Sequence, residues 1–303
     1  QTQKIVIFRV PMHLPAHYNH SFGMTGLSRV TQLKFTKMHG LGNDFIVVRG
    51  TAVPAADEIV RLANRHTGIG FDQLLWLEEP HEPGTDIFYR IFNADGGEVE
   101  QCGNGARCIA RHIAGDSQDT ERVWKLAFPG GVVDALLQSD GDVAVTMGEP
   151  DFNPATVPFV ADAEAEAYVV DADGDRVEFA VVSIGNPHAV IAVDDVDAAP
   201  VERLGSLLEQ HERFPNHANI GFMQLVSRER IRLRVFERGV GETSACGTGA
   251  CAAVVTGQRA GKLAEEVTVE LPGGELKVRW AGLGKPIWLI GEAVTAFEGV
   301  VNV

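Results

Sequence analysis

Cysteine is scarce in this chain: Cys102, Cys108, Cys246 and Cys251 are all that 303 residues contain. Four dispersed cysteines do not make the disulfide framework of a small secreted domain, and free thiols in a reducing cytoplasm are the simpler expectation. Long apolar runs are missing too. None approaches the roughly 20 residues that cross a bilayer as a helix, so a soluble protein is expected. Positive charge is in short supply, with 26 Lys and Arg against 41 Asp and Glu and a formal net charge of −15. A surface of that sign repels phosphate backbones and anionic lipid, which argues against nucleic acid or a membrane as partner. The first thirty residues hold no acidic residue, and Ile5-Val6-Ile7-Phe8 is shorter than the roughly 7–15-residue apolar region of a secretory signal. Residues 1–32 are therefore read as a flexible extension outside the fold, with His13, His17 and His20 at most adventitious metal ligands.

What is present is ordinary globular composition, 45% hydrophobic and 22% charged, in a length that suggests two domains at roughly 100–200 residues each. The division is written into the sequence as a repeat. Leu41-Gly42-Asn43 returns as Ile184-Gly185-Asn186, at an offset of 143 positions. Arg90-Ile91-Phe92, Gly97-Glu98 and Cys102-Gly103-Asn104-Gly105-Ala106 return as Arg234-Val235-Phe236, Gly241-Glu242 and Cys246-Gly247-Thr248-Gly249-Ala250, at 144. Phe128-Pro129-Gly130-Gly131 and Met147-Gly148-Glu149 return as Leu271-Pro272-Gly273-Gly274 and Ile290-Gly291-Glu292. Residues 33–150 and 151–303 are thus expected to be homologous halves facing each other across a pseudo-twofold axis. The stretch 151–177 reads either as a connection or as including a strand near Ala167–Val170.

Each half reads as short antiparallel strands around one special helix. Leu33 to Lys37 alternates, Phe45 to Val48 and Ile87 to Phe92 are β-branched or aromatic runs, and helical stretches begin at Asp57 and Pro200. The segment after each motif cysteine is different. Ala250 to Val255 carries no charge, and a helix apolar all round is buried. The expected fold class is α+β, two pseudo-symmetric halves, each a mainly antiparallel barrel-like sheet around a buried central helix, with the site in the cleft between.

In both halves a cysteine precedes Gly-x-Gly-Ala at the start of a helix. Such an end has N–H groups without intrahelical partners and a positive dipole, so it holds anions and lowers a thiol pKa. A carboxylate on the N–H groups of Gly103, Asn104, Gly247 and Thr248 would have one sulfur on each side of its neighbouring carbon. That suits inversion of an amino-acid α-carbon: one thiolate removes a proton, and the opposite thiol delivers another. Cys108 and Cys251, inside the helices, read as small buried hydrophobes. A structural zinc site is disfavoured because its cysteines come in closer pairs, and a dithiol redox site because there is no C-x-x-C.

The segments Met38-His39-Gly40-Leu41-Gly42-Asn43-Asp44-Phe45, Phe92-Asn93-Ala94-Asp95-Gly96, Gln101 through Cys108, and Glu237-Arg238-Gly239 through Gly249 resemble those of diaminopimelate epimerases. The resemblance runs from about Gln32 to the end. It implies interconversion of LL- and meso-2,6-diaminopimelate, on the route to lysine and peptidoglycan, with neither cofactor nor metal. It further implies that Cys102 and Cys246 are the acid/base pair. Gly103, Asn104, Gly247 and Thr248 would hold the reacting carboxylate, and Asn43, Gln73, Asn93, Asn186, Asn219, Glu237 and Arg238 would make the other substrate contacts. Arg238 suits a carboxylate, Glu237 an ammonium, and His188 is either support for a thiol or a structural histidine. A proline racemase-like enzyme is the alternative within the class, and a binding protein that lost catalysis the alternative outside it. The expected partner is a small amino acid, with a homodimer as the assembly alternative to a monomer.

Overall fold

The computed structural model describes residues 32–99 and 101–303; the extension assigned to the N-terminus, apart from Gln32, lies outside the described residues. Strand β1 (Gln32–Gly40) turns back through Leu41 and Gly42, both at positive φ, into β2 (Asn43–Arg49). Helix α1 (Ala56–Ala63) buries Ile59, Leu62 and Ala63 and carries the chain to β3 (Gln73–Glu78), which pairs with β2 in parallel. Strands β4 (Ile87–Asn93) and β5 (Glu98–Val99) form a tight hairpin that delivers the chain to α2 (Gly103–Ala114). After α2 come β6 (Trp124–Phe128), β7 (Gly131–Leu137) and β8 (Val143–Thr146).

The second half repeats the order. Strands β9 (Tyr168–Ala172), β10 (Asp175–Ser183) and β11 (Pro187–Val193) lead to α3 (Val201–Glu209), then β12 (Asn219–Ser227), β13 (Arg230–Glu237), β14 (Gly241–Thr243) and α4 (Gly247–Arg259). Strands β15 (Glu266–Leu271), β16 (Gly274–Arg279), β17 (Trp288–Gly291) and β18 (Val294–Asn302) finish it. The α+β class and the two homologous halves stand as expected. The peripheral helices α1 and α3 occupy matching places between matching strands, so the repeat extends to segments whose sequences no longer show it.

Two readings become more specific. The pairing is mainly antiparallel, as expected, with parallel exceptions at β2–β3, β4–β6, β11–β12 and β13–β15. The reason is connectivity, since α1, α2, α3 and α4 each sit between the two members of such a pair, and a helical crossover returns the chain in the same direction. In the stretch after residue 150 the strand alternative holds, as β9. Val157 and Phe159 drop into the second half's core, where the Phe159 ring meets Tyr168 and Phe214 at centroid distances of 4.8 Å each.

Three apolar clusters result. One lies under α1, with Ile59, Leu62, Phe71 and Trp76, and one under α3, with Phe179, Leu208, Phe214 and Phe222. The third surrounds α2 and α4 and is continuous across both halves. Strand β18 leaves the second half to pair with β1, and β8 pairs with β17 in an antiparallel ladder that joins the halves. Thr146 faces Trp288 in that ladder, and applying the 143-residue repeat to both gives Leu289 and Val145, which also face each other. The ladder therefore maps onto itself, as a contact lying on a twofold axis must.

Leu289, fully buried at this junction, is the point where both central helices meet the ladder. An added Cβ at Gly103 would stand 3.0 Å from its Cδ2, and one at Gly247 2.9 Å from the same atom. Both helices begin with glycine, and a side chain at either place would press on this leucine. Replacing Leu289 by Ala removes the shared contact. We expect a loss of about 2–5 kcal/mol in unfolding free energy, the range of buried Leu to Ala changes, read by denaturant unfolding; a loss under about 1 kcal/mol would show that the junction does not carry the two helix ends.

Candidate active site

The repeated Arg and Glu before each cysteine are structural. Arg90 Nε and Nη2 donate to Glu98 Oε1 and Oε2 at 2.7 and 2.6 Å, and Arg234 Nε and Nη2 donate to Glu242 Oε1 and Oε2 at 2.6 and 2.7 Å. Each bidentate pair ties a hairpin, β4–β5 or β13–β14, a few residues before the cysteine. The chain then turns into the central helix with the cysteine at its N-cap. Cys102 accepts a hydrogen bond on Sγ from the Gly105 N–H at 3.4 Å.

Cys102 and Cys246 line one cleft of about 710 Å³, within the range of about 300–1,000 Å³ usual for small-molecule sites. Of the residues expected to contact substrate, Asn43, Gln73, Gly103, Asn104, Asn186, Glu237, Gly247 and Thr248 line the same cleft. Their contacts follow the repeat. Asn104 Nδ2 donates to Asn43 Oδ1 at 3.4 Å, and Asn186 Nδ2 donates to Thr248 Oγ1 at 3.3 Å. The sulfurs take part on both sides: Cys102 Sγ donates to Asn43 Oδ1 at 3.8 Å, and Cys246 Sγ lies 3.6 Å from Thr248 Oγ1. Gln73 Oε1 and Asn104 Oδ1 are buried and have no hydrogen-bond partner. Unpaired buried acceptors are costly unless a donor meets them, and an ammonium is one.

Three expected contacts, and His188, are not among the cleft-lining residues. Asn93 Oδ1 accepts from Gln73 Nε2 at 2.9 Å, which fixes the Gln73 amide. Asn219 is buried, with Nδ2 3.3 Å from the Pro187 carbonyl and Oδ1 accepting from the Arg238 N–H at 2.9 Å. The exposed Arg238 guanidinium donates to the Asn216 carbonyl at 3.1 Å. The hydrogen-bond partners of His188 are not thiols: its Nε2 lies 2.9 Å from Asn186 Oδ1 and 3.5 Å from Asn219 Nδ2, so it braces two asparagines.

Several cleft residues were not singled out by the sequence as site residues. Asp72 accepts from Asn43 Nδ2 and from the Asp44 N–H, both at 3.0 Å, and so orients Asn43. Thr243 donates to Glu237, while Ser244, Ala245 and Gly273 close the wall beside Cys246. Gly273 belongs to the Leu271-Pro-Gly-Gly turn, whose sequence reads as strand punctuation; its position in the wall appears only when β15 and β16 are folded onto the loop at Ser244.

The net shift of the two thiols runs opposite to the expectation. Burial pushes both the Cys102 and Cys246 thiols up, and the N–H donors from Gly105 and Asn104 offset this only in part at Cys102. At Cys246 the Glu237 carboxylate raises the thiol further. Desolvation of a sulfur inside a protein outweighs a few amide dipoles. Both groups are proton donors at rest, and a cation brought into the cleft would be needed to draw out a thiolate. Cys108 and Cys251 are fully buried and held up to about 12 by burial, as expected of small core residues. All four cysteines are free, and among the described residues no cluster of three His, Cys, Asp or Glu side chains could hold a metal ion.

His188 supplies a test by titration. Burial, and then the Arg238 charge, push its imidazole down from 6.5 to about 3. An unfolded chain protonates its histidine near pH 6.5, a proton the folded chain refuses, so the stability this group contributes is present above that pH and lost as pH falls toward about 3. Relative to a His188→Gln variant, the native chain should lose up to about 1.4 kcal/mol of unfolding free energy per pH unit across that window. Parallel pH profiles for the two proteins would contradict the assignment.

The profile of the diaminopimelate epimerase family matches residues 35–153 and 180–296, one match in each half. Among solved structures, a hydroxyproline epimerase from Agrobacterium vitis with bound trans-4-hydroxy-L-proline is similar at 16% identity and TM-score 0.64, over 90% of this chain and 93% of that one. A probable proline racemase from Agrobacterium radiobacter with bound carbonate is similar at 17% identity and TM-score 0.63, over 89% and 92%. A methylitaconate-delta-isomerase is similar at 15% identity and TM-score 0.62, over 91% and 96%. At these identities the likeness is one of fold.

Proposed function

The chain belongs to the diaminopimelate epimerase family, and from that premise we propose that it interconverts LL- and meso-2,6-diaminopimelate by proton transfer between Cys102 and Cys246. The observation that carries this reading is the presentation of two equivalent thiols, each at the N-cap of a buried central helix, to one cleft by a ladder that repeats onto itself. An α-carbon seated there has a sulfur on either face. Its carboxylate sits against the first amides of α2 and α4, where the charge growing on it during deprotonation is met by fixed dipoles.

The raised thiols fit this chemistry. The substrate brings its own ammonium, and Asn104 Oδ1, an acceptor without a partner, lies beside the cysteines to receive it. That positive charge lowers the cost of a thiolate once substrate is bound, so the base is made when it is needed. The opposite sulfur keeps its proton and delivers it to the vacated face. In the reverse reaction the roles exchange.

Diaminopimelate has a second amino-acid end, and the cleft carries polar groups beyond the cysteines to meet it, Gln73, Asn186 and Glu237, with the exposed Arg238 next to Glu237 in the chain. For Arg238 to grip the distal carboxylate its guanidinium has to leave the Asn216 carbonyl, a change of side-chain rotamer at the surface. This polar reach favours diaminopimelate over proline, which ends at its ring. The proposed place of the reaction is the supply of precursors for lysine and peptidoglycan.

The test is turnover. LL-diaminopimelate should yield the meso isomer, separated chromatographically, with no added pyridoxal phosphate and in the presence of a chelator, while L-proline stays unchanged. Racemised proline with untouched diaminopimelate would move the chain to proline racemase-like chemistry, and turnover of neither would leave a binding protein. Cys102→Ala and Cys246→Ala should each lower the rate by at least about a thousandfold, the order expected for loss of an acid/base group.

A further inference from the structure

The pseudo-symmetry of the cleft fails at one buried position, and the failure is a charge. Five residues along the chain from Cys102 stands Arg107; the residue at the same place after Cys246 is Cys251. Arg107 is 0% exposed. Its side chain passes between two glycines. A Cβ on Gly40, at the end of β1, would stand 3.2 Å from Nη2, and one on Gly291, at the end of β17, 3.5 Å from Cζ and Nε. Arg107 Nε donates to the Glu292 carbonyl at 3.3 Å, while Nη1 and Nη2 have no partner. In the repeat the counterpart of Gly40 is Ser183, so the second half lacks both the cation and part of the slot that holds it.

A buried guanidinium without a paired carboxylate costs several kcal/mol and is rarely kept without use. The groups near it that can become anions are few. Cys108 shares its helix and Cys251 sits on α4, both thiols deep in the core; Asp142 precedes β8, and Glu292 follows β17. Cys102 is the remaining one, and it alone lines the cleft. Its sulfur also faces the N–H groups of Gly105 and Asn104, with Glu237 and the buried Tyr89 as opposing neighbours. Cys246 faces the Glu237 carboxylate, the Thr248 hydroxyl and the Gly249 N–H, and the repeat places a neutral Cys251 where the first half has Arg107.

We propose that Arg107 is a positioning residue whose buried charge breaks the symmetry of the two-thiol site, so that the thiolate forms first on Cys102 while Cys246 keeps its proton. This rests on the reading of Cys102 and Cys246 as the acid/base pair. The two substrate isomers then meet differently poised sites. An α-hydrogen facing Cys102 meets the group readier to ionise, and one facing Cys246 requires the proton to move across first.

Alkylation of each cysteine tests this without substrate. The intact protein is treated with iodoacetamide across a pH series and the two modified peptides are quantified by mass spectrometry. In the native chain Cys102 should react with a midpoint at lower pH than Cys246. Arg107→Met should raise the Cys102 midpoint by at least about one pH unit, a tenfold loss of thiolate at a given pH, with a smaller change at Cys246; Arg107→Lys should restore most of it. A purely structural role would move stability without separating the two midpoints. Coincident midpoints in the native chain, Cys246 reacting first, or a folded Arg107→Met with an unmoved Cys102 would overturn the proposal, and if that variant does not fold the native order alone decides. Failure to turn over diaminopimelate would leave these midpoints untouched, so the two readings fail separately.

Discussion

The antiparallel ladder between β8 and β17 is the contact on which the site depends. It lies where the repeat maps onto itself, and it sets Leu289 under the first residue of both central helices. A Cβ at Gly103 or Gly247 would press into that leucine, so glycine at these places is a packing requirement before it is a binding one. The helices meet the cleft end-on because of it. Each brings its first-turn amides and one cysteine to a common space.

The same closeness sets the chemistry. Burial that brings the sulfurs together also removes the water that would stabilise a thiolate, and the helix-end amides do not make up the difference. A site of two proton-bearing thiols is idle until a cation arrives. In the proposed reaction an amino-acid substrate would supply one on the very carbon to be inverted, so that substrate binding and activation of the base become a single event. The buried Arg107 is the exception to the symmetry, a fixed cation on one side only.

Much of this was legible in the sequence because duplication writes the same constraint twice. The paired Cys-Gly-x-Gly-Ala motifs located the helices and the cleft, and Asn43 and Asn186, matched in the repeat, make matched contacts with Asn104 and Thr248. The repeated Arg and Glu were visible too, although their role, a bidentate pair tying the hairpin before each cysteine, required coordinates. Less could be read where neighbours come from afar. The parallel pairings follow from helical crossovers, the crossing of β18 onto β1 joins opposite ends of the chain, and Asp72 and Gly273 enter the cleft wall through contacts with distant loops. The thiol pKa was misjudged for a related reason: a helix N-terminus is a local feature, whereas burial is a property of the whole fold.

The central claim is that two sulfurs, one on each face, carry separate protons. In deuterated water the resting thiols exchange to deuterium, so a single turnover of unlabelled LL-diaminopimelate with excess enzyme distinguishes the possibilities by mass spectrometry of the product. Two bases predict meso-diaminopimelate carrying deuterium at the inverted carbon from its first formation, with the substrate's own hydrogen left on the opposite sulfur. Product that retains the substrate's hydrogen at that carbon would mean that one group takes and returns the same proton, and would contradict the two-thiol account.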